Sequence, residues 1–233
     1  MRVSLVSYSK VNTIDTPGRK PFGLDTVQDL VAYCARVSNP SNQNNSETSA
    51  KLIKYLIKHQ HWSPLEMVSA CMEIETTRDI ARQILRHRSF SFQEFSQRYA
   101  DPTKDLEFVI REARLQDTTN RQNSITINPS EGENVAALMS DWERQQEIVI
   151  DAAKEAYEWA IKNGIAKEQA RAVLPEGNTV SRMYMNGTLR SWVHYIELRG
   201  ANGTQKEHMD IAHACARVIA DVFPLADEMF EWN

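Results

Sequence analysis

Met67-Val68-Ser69-Ala70-Cys71-Met72-Glu73-Ile74-Glu75-Thr76-Thr77-Arg78-Asp79-Ile80-Ala81-Arg82-Gln83-Ile84-Leu85-Arg86-His87-Arg88 changes its periodicity halfway along. From Met67 to Thr76 polar and apolar residues alternate, which predicts a strand with one polar face. Thr76 or Thr77 then caps a helix expected to run from Arg78 to about Arg88. Arg78, Arg82 and Arg86 fall at i, i+4 and i+8 and would form one stripe along it, with Gln83 three residues before Arg86. On Arg78 alone, a solvated helix face is the favoured reading.

The next residues, Ser89-Phe90-Ser91-Phe92-Gln93-Glu94-Phe95-Ser96-Gln97-Arg98-Tyr99, carry hydroxyl and aromatic side chains and a single carboxylate, Glu94. Arg86, His87 and Arg88 stand side by side, and like charges so close repel unless an anion holds them together. Planar guanidinium forks between aromatic and hydroxyl groups suit an anionic, planar ligand.

Working outward, residues 2–8 read as a strand, and residues 9–23, with Pro17, Gly18, Pro21 and Gly23, as a loop. A helix from Asp25 or Thr26 to about Val37 would turn Val27, Leu30, Val31 and Cys34 to one face. A polar loop spans Ser38 to Asn45, and a second helix runs from about Glu47 to His59. Pro64 makes His59–Pro64 a tight connection. Downstream, Leu106–Ile110 suggests a strand and Asn120–Gly132 an exposed loop. Asn134–Asn163 is the longest helix, with Val135, Leu138, Met139, Trp142, Val149, Ala152, Ala156 and Ala160 at helical spacing and Gly164 at its end. A short helix covers Lys167–Leu174, a strand Val180–Met185, and a helix starting at Asn186 or Thr188 continues to Arg199. A last amphipathic helix, Gln205 to about Val222, stops at Pro224, and the tail Leu225–Trp232 adds a turn or two. The expected architecture is α+β: one helix-rich domain, residues 1–233, with a mixed or antiparallel sheet packed by helices.

Composition limits the function classes. A net charge of -4 in 233 residues argues against a general nucleic-acid coat, so basic charge is local, as in a phosphate or cofactor pocket. The three cysteines, Cys34, Cys71 and Cys215, are odd in number and form no CxxC pair, as expected of a reduced protein. With no signal-peptide run at the N-terminus and no segment of membrane-spanning length, the expectation is a cytoplasmic protein without membrane contact.

None of the cysteines has an adjacent His or Arg in sequence to lower its pKa, so core packing is preferred over a nucleophilic role. His59-x-His61 is a lone pair, and His208 and His213, five apart, lie on different helix faces, so no metal site is expected. GxxxxGK[ST] and GxGxxG motifs are absent. Arg171, in Ala170-Arg171-Ala172-Val173-Leu174-Pro175, and Arg199, in Tyr195-Ile196-Glu197-Leu198-Arg199-Gly200, are lone charges in apolar settings. Either could be a paired core arginine.

Arg86-His87-Arg88 followed after seven residues by Ser96, with Glu94, Arg98 and Tyr99 in place, resembles the signature of the flavin-dependent thymidylate synthases (the ThyX family). His61-Trp62-Ser63-Pro64-Leu65-Glu66, Ala170–Pro175, and Leu189-Arg190-Ser191-Trp192 through Leu198-Arg199 resemble further segments of that family, in the same order. Together they cover much of residues 55–222. Gly203 departs from the pattern, which usually has His there, and Gln93 replaces a common Asn.

The resemblance implies a ThyX-like fold and a homotetramer with active sites between subunits. It implies reductive methylation of dUMP to dTMP, with methylenetetrahydrofolate as carbon donor, FAD as hydride relay and NADPH as reductant. Carried over residue by residue, Ser63, Arg86, His87, Arg88, Glu94, Thr188, Arg190 and His194 would hold FAD. Gln83, Arg86, Glu94, Ser96, Gln97, Arg98, Arg171 and Arg199 would surround dUMP, with Arg199 at the uracil edge as the catalytic group. His61 and Tyr99 would face the folate. Competing readings are another FAD- or nucleotide-binding enzyme and a nonenzymatic arginine-rich nucleotide- or RNA-binding module. Overall acidity and the lack of a basic, aromatic-studded sheet motif weigh against RNA.

Overall fold

Residues 1–12 and 24–224 are described by the computed structural model. Most of the expected loop at 9–23 and the tail 225–233 lie outside them. In chain order the elements are β1 (Arg2–Tyr8), α1 (Val27–Ala35), α2 (Ser49–Lys58), β2 (Ser69–Thr77), α3 (Arg78–Ile84), β3 (Ser91–Glu94), α4 (Pro102–Asp105), β4 (Arg114–Gln116), β5 (Ser124–Thr126), α5 (Glu133–Lys162), α6 (Lys167–Ala170), β6 (Val180–Thr188), α7 (Leu189–Gly200) and α8 (Lys206–Val222).

β1, β2, β6 and β3 form one sheet in that order, antiparallel throughout. The chain is α+β as expected. β2 and β6 pair over nine residues, from Ser69 opposite Thr188 to Thr77 opposite Val180. Alternation puts Ala70, Met72 and Ile74 of β2 and Met183 and Met185 of β6 on one buried face. Full burial of each large side chain contributes about 1.5–3 kcal/mol, so a one-residue slip, which would turn all of them to solvent, is strongly disfavoured. Trp192, Val193, Ile196, Ile211, Cys215 and Ile219 of α7 and α8 pack into the same core, joined by Val31 and Ile53 from α1 and α2.

The opposite face of the sheet stays polar. Arg2 pairs with Glu73 and Glu75 of β2, Arg182 pairs with Glu75, and the Tyr184 hydroxyl donates to Glu73. Cys71 lies among these residues, half-buried, and Cys34 is also half-buried; only Cys215 is a fully buried core thiol. Core packing therefore holds for Cys215 and not for Cys71, whose strand position points it to the polar side.

Phe90 fixes how β3 meets the sheet. Its ring lies directly over Gly187 of β6, where an added Cβ would come within 2.4 Å of the ring. The ring also meets Trp192 edge-on at 4.8 Å, and the Trp192 indole N–H donates to the Ala70 carbonyl at 3.1 Å.

Several boundaries differ from expectation. α3 ends at Ile84 rather than near Arg88, because β3 pairs with β6 from Ser91 onward and leaves no room for another helical turn. Arg86 therefore leaves the stripe started by Arg78 and Arg82, and the chain turns through backbone bonds from Arg86 to Gln83 and from His87 to Ile84. Leu106–Ile110 forms a single bridge, Phe108 to Thr179, rather than a strand. The supposed loop after Asn120 contributes β5, which pairs with β4 as a short hairpin.

α5 confirms the long helix but not the whole of its apolar face. The chain's own body buries Gln146, Ile150, Ala153, Tyr157 and Ala160. Leu138, Trp142 and Val149 remain 48%, 44% and 51% exposed. The apolar stripe is wider than the surface packed against it.

Candidate active site

The residues singled out from the sequence fall into three groups. The first lies where the turn after α3 meets α7 and α8. His87 is half-buried under Tyr195, with the rings edge-on at 4.9 Å. Arg199, in the last turn of α7, donates its Nε–H to His87 Nε2 at 2.9 Å. Burial, then the charges of Arg199 and Arg86, hold the imidazole down at about 4, so it is neutral at physiological pH. Arg86 and Arg88 on either side are exposed and, among the described residues, have no side-chain hydrogen bond or ion pair. Gln83 is bound to His208 and Gln205 of the α8 region, at 3.2 Å and 2.8 Å.

The second group lies along the end of β3 and the following turn. Glu94 accepts from the Ser181 hydroxyl at 2.7 Å and faces Arg78 Nη1 at 3.6 Å. Arg78 is therefore a partly buried partner of Glu94, contrary to the solvated-face reading; Arg82 keeps that reading, paired with Glu176 at the surface. Ser96 Oγ accepts from the Arg98 backbone N–H at 3.4 Å, and Arg98 reaches Glu168 at 3.5 Å and lies over the Tyr99 ring. Gln97 is buried with its Nε2 unpartnered. Arg171 stands beside this corner, in the helical turn after α6, with its Nε donating to the Glu168 carbonyl at 3.3 Å. It is a partly exposed cation and not a paired core arginine. A cavity of about 400 Å³ opens beside Glu94, Ser96, Tyr99, Arg182 and Tyr184.

The third group joins the connection before β2 to the start of α7. Ser63 and His61 are exposed, and His61 belongs to a ring cluster with Tyr55 and His59. Trp62 meets His194 edge-on at 4.4 Å, and Arg190 pairs with Glu66. Thr188 is the N-cap of α7, its hydroxyl accepting from the Ser191 N–H at 3.3 Å. Within one chain, among the described residues, no hydrogen bond or ion pair joins the side chains of one group to those of another, although Ser191 Oγ, beside Thr188, donates to the Ser89 carbonyl at 3.1 Å in the turn after α3.

Sequence reasoning missed the ionic support of the first group. Glu207 is buried and bound by Arg111 and Arg114, and Arg111 also grips Asp79 at 2.7 Å. Arg111 lies in an irregular segment and Arg114 opens the three-residue β4, too short to show periodicity, so nothing in their spacing marks them. His208 had a signal: it shares a helical face with Ile211, Ala212 and Cys215, the buried face of α8. Among the described residues no cluster of His, Cys, Asp and Glu could hold a metal ion, and no helix is long and apolar enough to cross a membrane.

The fold is shared with solved structures of a nucleotide methylase. The UMP/dUMP methylase PolB from Streptomyces cacaoi, bound with 5-Br dUMP, aligns with a TM-score of 0.75 at 25% identity, over 98% of this chain and 93% of that one. At the level of sequence, the family described as thymidylate synthase complementing protein matches residues 24–225. The flavin-dependent thymidylate synthase of Synechocystis sp. is 47% identical over 234 residues, covering 100% of both chains. The probable flavin-dependent thymidylate synthase of Paramecium bursaria Chlorella virus 1 is 46% identical over 210 residues, 90% of this chain and 93% of that one. The chain belongs to the thymidylate synthase complementing protein family.

Proposed function

We propose that the protein is a flavin-dependent thymidylate synthase that methylates dUMP to dTMP, residues 1–233 acting as one catalytic domain. The observation that carries this reading is the Arg199–His87 hydrogen bond, which joins two segments 112 residues apart that the family resemblance had marked independently. Identity of 46–47% to relatives named for this activity supports it.

The donor set fits FAD. Arg86 and Arg88 are exposed, two residues apart, and flank a neutral ring, so their forks are free to bind pyrophosphate oxygens at roughly 1.5–3 kcal/mol per charged hydrogen bond. Ser63, Arg86, His87, Arg88, Glu94, Arg190 and His194 would hold the flavin, and Thr188 would do so from the N-terminus of α7. Bound FAD supplies the hydride relay, with NADPH as reductant and methylenetetrahydrofolate as carbon donor.

Gln83, Arg86, Glu94, Ser96, Gln97, Arg98, Arg171 and Arg199 surround dUMP in this reading, and His61 and Tyr99 face the folate. Arg199 has the decisive role. Its Nε is committed to His87, which leaves the terminal nitrogens to meet negative charge as it develops on the uracil oxygen. No protein thiol is required, consistent with burial raising Cys34, Cys71 and Cys215 above the ordinary thiol range.

The assembly proposed is a homotetramer with its active sites between subunits. Two features support it: within one chain, among the described residues, no side-chain hydrogen bond or ion pair joins one of the three residue groups to another, and α5 leaves Leu138, Trp142 and Val149 about half exposed. Three unpaired cysteines suit a cytoplasmic enzyme. The test is rescue of a thymidine auxotroph by the wild-type gene, with Arg199→Ala as control, beside flavin absorbance of the purified protein. Failure to rescue together with failure to take up FAD would overturn the assignment.

A further inference from the structure

Glu207 starts a run of hydrogen bonds whose direction is forced at every step. It lies in the first turn of α8, buried, with Arg111 Nη1 at 3.1 Å and Arg114 also bound to it. Burial opposes its ionisation, but the Arg114 hydrogen bond and the Arg111 charge outweigh burial and hold the carboxyl at about 2. A carboxylate has no proton to give. Gln205 must therefore turn its Nε2 amide toward Glu207, and does so at 3.0 Å.

That leaves Gln205 only its Oε1 for Gln83, and Gln83 Nε2 donates to it at 2.8 Å. Gln83 in turn has only Oε1 to offer His208 Nδ1 at 3.2 Å, so Nδ1 must carry the proton. His208 is fully buried, and its Nε2 has no partner. Its ring lies 6.2 Å from the His87 ring, and burial, then Arg199 and His87, keep it neutral. Any reversed arrangement would set the Gln205 carbonyl against the Glu207 carboxylate, two acceptors facing each other.

From this geometry we infer that Glu207 is a positioning residue: it sets the hydrogen-bond direction through Gln205 to Gln83 and His208, and so fixes which atoms Gln83 presents beside His87 and Arg199. The inference rests on the proposed function only in taking Gln83 as a dUMP contact. Glu207 itself touches no reacting atom.

The test is nitrogen NMR of the full-length protein labelled with ¹⁵N-histidine, the His208 signals assigned by their loss in His208→Gln. The wild type is expected to show a protonated Nδ1 and a bare Nε2. Glu207→Gln can donate as well as accept, so His208 should shift to a mixed or reversed tautomer. The dUMP dissociation constant should rise about tenfold, the loss of one oriented hydrogen bond, with flavin content unchanged. Glu207→Asp should restore the wild-type tautomer. Should Glu207→Gln fail to fold, Gln205→Met cuts the same run at an exposed residue and is expected to give the same change. A bare Nδ1 in the wild type, or an unaltered His208 tautomer in the folded variant, would overturn the inference. If the protein bound no dUMP at all, the proposed function would fall, while the tautomer pattern would still decide the role of Glu207.

Discussion

Arg199 and His87 meet as donor and acceptor, Nε–H to Nε2 at 2.9 Å. That bond requires a bare Nε2, so the middle residue of Arg86-His87-Arg88 is a neutral ring protonated on Nδ1. What looks in sequence like three adjacent cations is two cations separated by an acceptor. Repulsion within the motif is smaller than the sequence suggests, and the ring serves to orient a third arginine from α7.

Replacing that arginine isolates its role. Arg199→Ala is expected to fold, retain FAD and lower turnover by about 100-fold or more, the scale for losing one oriented charge donor. Arg199→Lys should not restore it, because an ammonium cannot hold His87 and face the substrate with separate nitrogens. Steady-state kinetics beside flavin spectra measure both effects, and wild-type turnover in Arg199→Ala would refute the assignment.

Arg171 carries no comparable structural load, with one 3.3 Å bond to the Glu168 carbonyl. Arg171→Ala should leave the melting temperature nearly unchanged and weaken dUMP binding about tenfold or more, from the roughly 1.5–3 kcal/mol of a charged hydrogen bond. Calorimetric titration with dUMP reads this directly. An unchanged affinity would remove Arg171 from the nucleotide site.

Acid should destabilise the protein from near neutrality downward. His87 and His208 are held at about 4 and about 3, against 6.5 in an unfolded chain. A base whose folded pKa is depressed contributes stability that is fully present above 6.5 and is lost as pH falls toward 4 and 3. Glu207, at about 2 against 4.5, adds a second loss below pH 4.5. Solvent reaching the half-buried His87 reduces the effect, which leaves a loss on the order of 2–3 kcal/mol between about pH 7.5 and about pH 5. Urea unfolding at the two pH values measures it; a flat stability would show that neither imidazole is held neutral.

The uncovered stripe on α5 makes a prediction about mass. Trp142→Asp puts a charge into an apolar surface that one chain leaves 44% exposed. It should reduce the assembly to smaller species in light scattering, with helical content retained. A tetramer of unchanged mass would show that this stripe is not an interface.

Strands β1, β2 and β6 and most helices were legible because their patterns are set by one buried face, whereas the four-residue β3 was not. Met67–Thr76 alternates against a single core, and Val180–Met185 mirrors it across the ladder. α5 shows where such a pattern stops being sufficient: periodicity identified the helix, but an apolar position does not say which body covers it. The short hairpin β4–β5 was missed because three-residue polar strands carry no alternation to detect. For the candidate site, the arginines stood out in sequence because their type and density suit an anion. The pairing of Arg78 with Glu94, and of Arg111 and Arg114 with Glu207, was not. Those contacts depend on how distant segments meet, and an arginine that supports a carboxylate looks in sequence like one that binds a ligand.

Phe90 resting on Gly187 has a consequence for how the gene can vary. Any side chain at position 187 would displace the ring, and with it β3 and the arginines on its flanks. A smaller residue at position 90 would open room above the glycine and loosen the same anchor. The two positions, 97 residues apart, are therefore coupled through a single contact: a change at either is expected to be accommodated only by a compensating change at the other, although neither bears a charge.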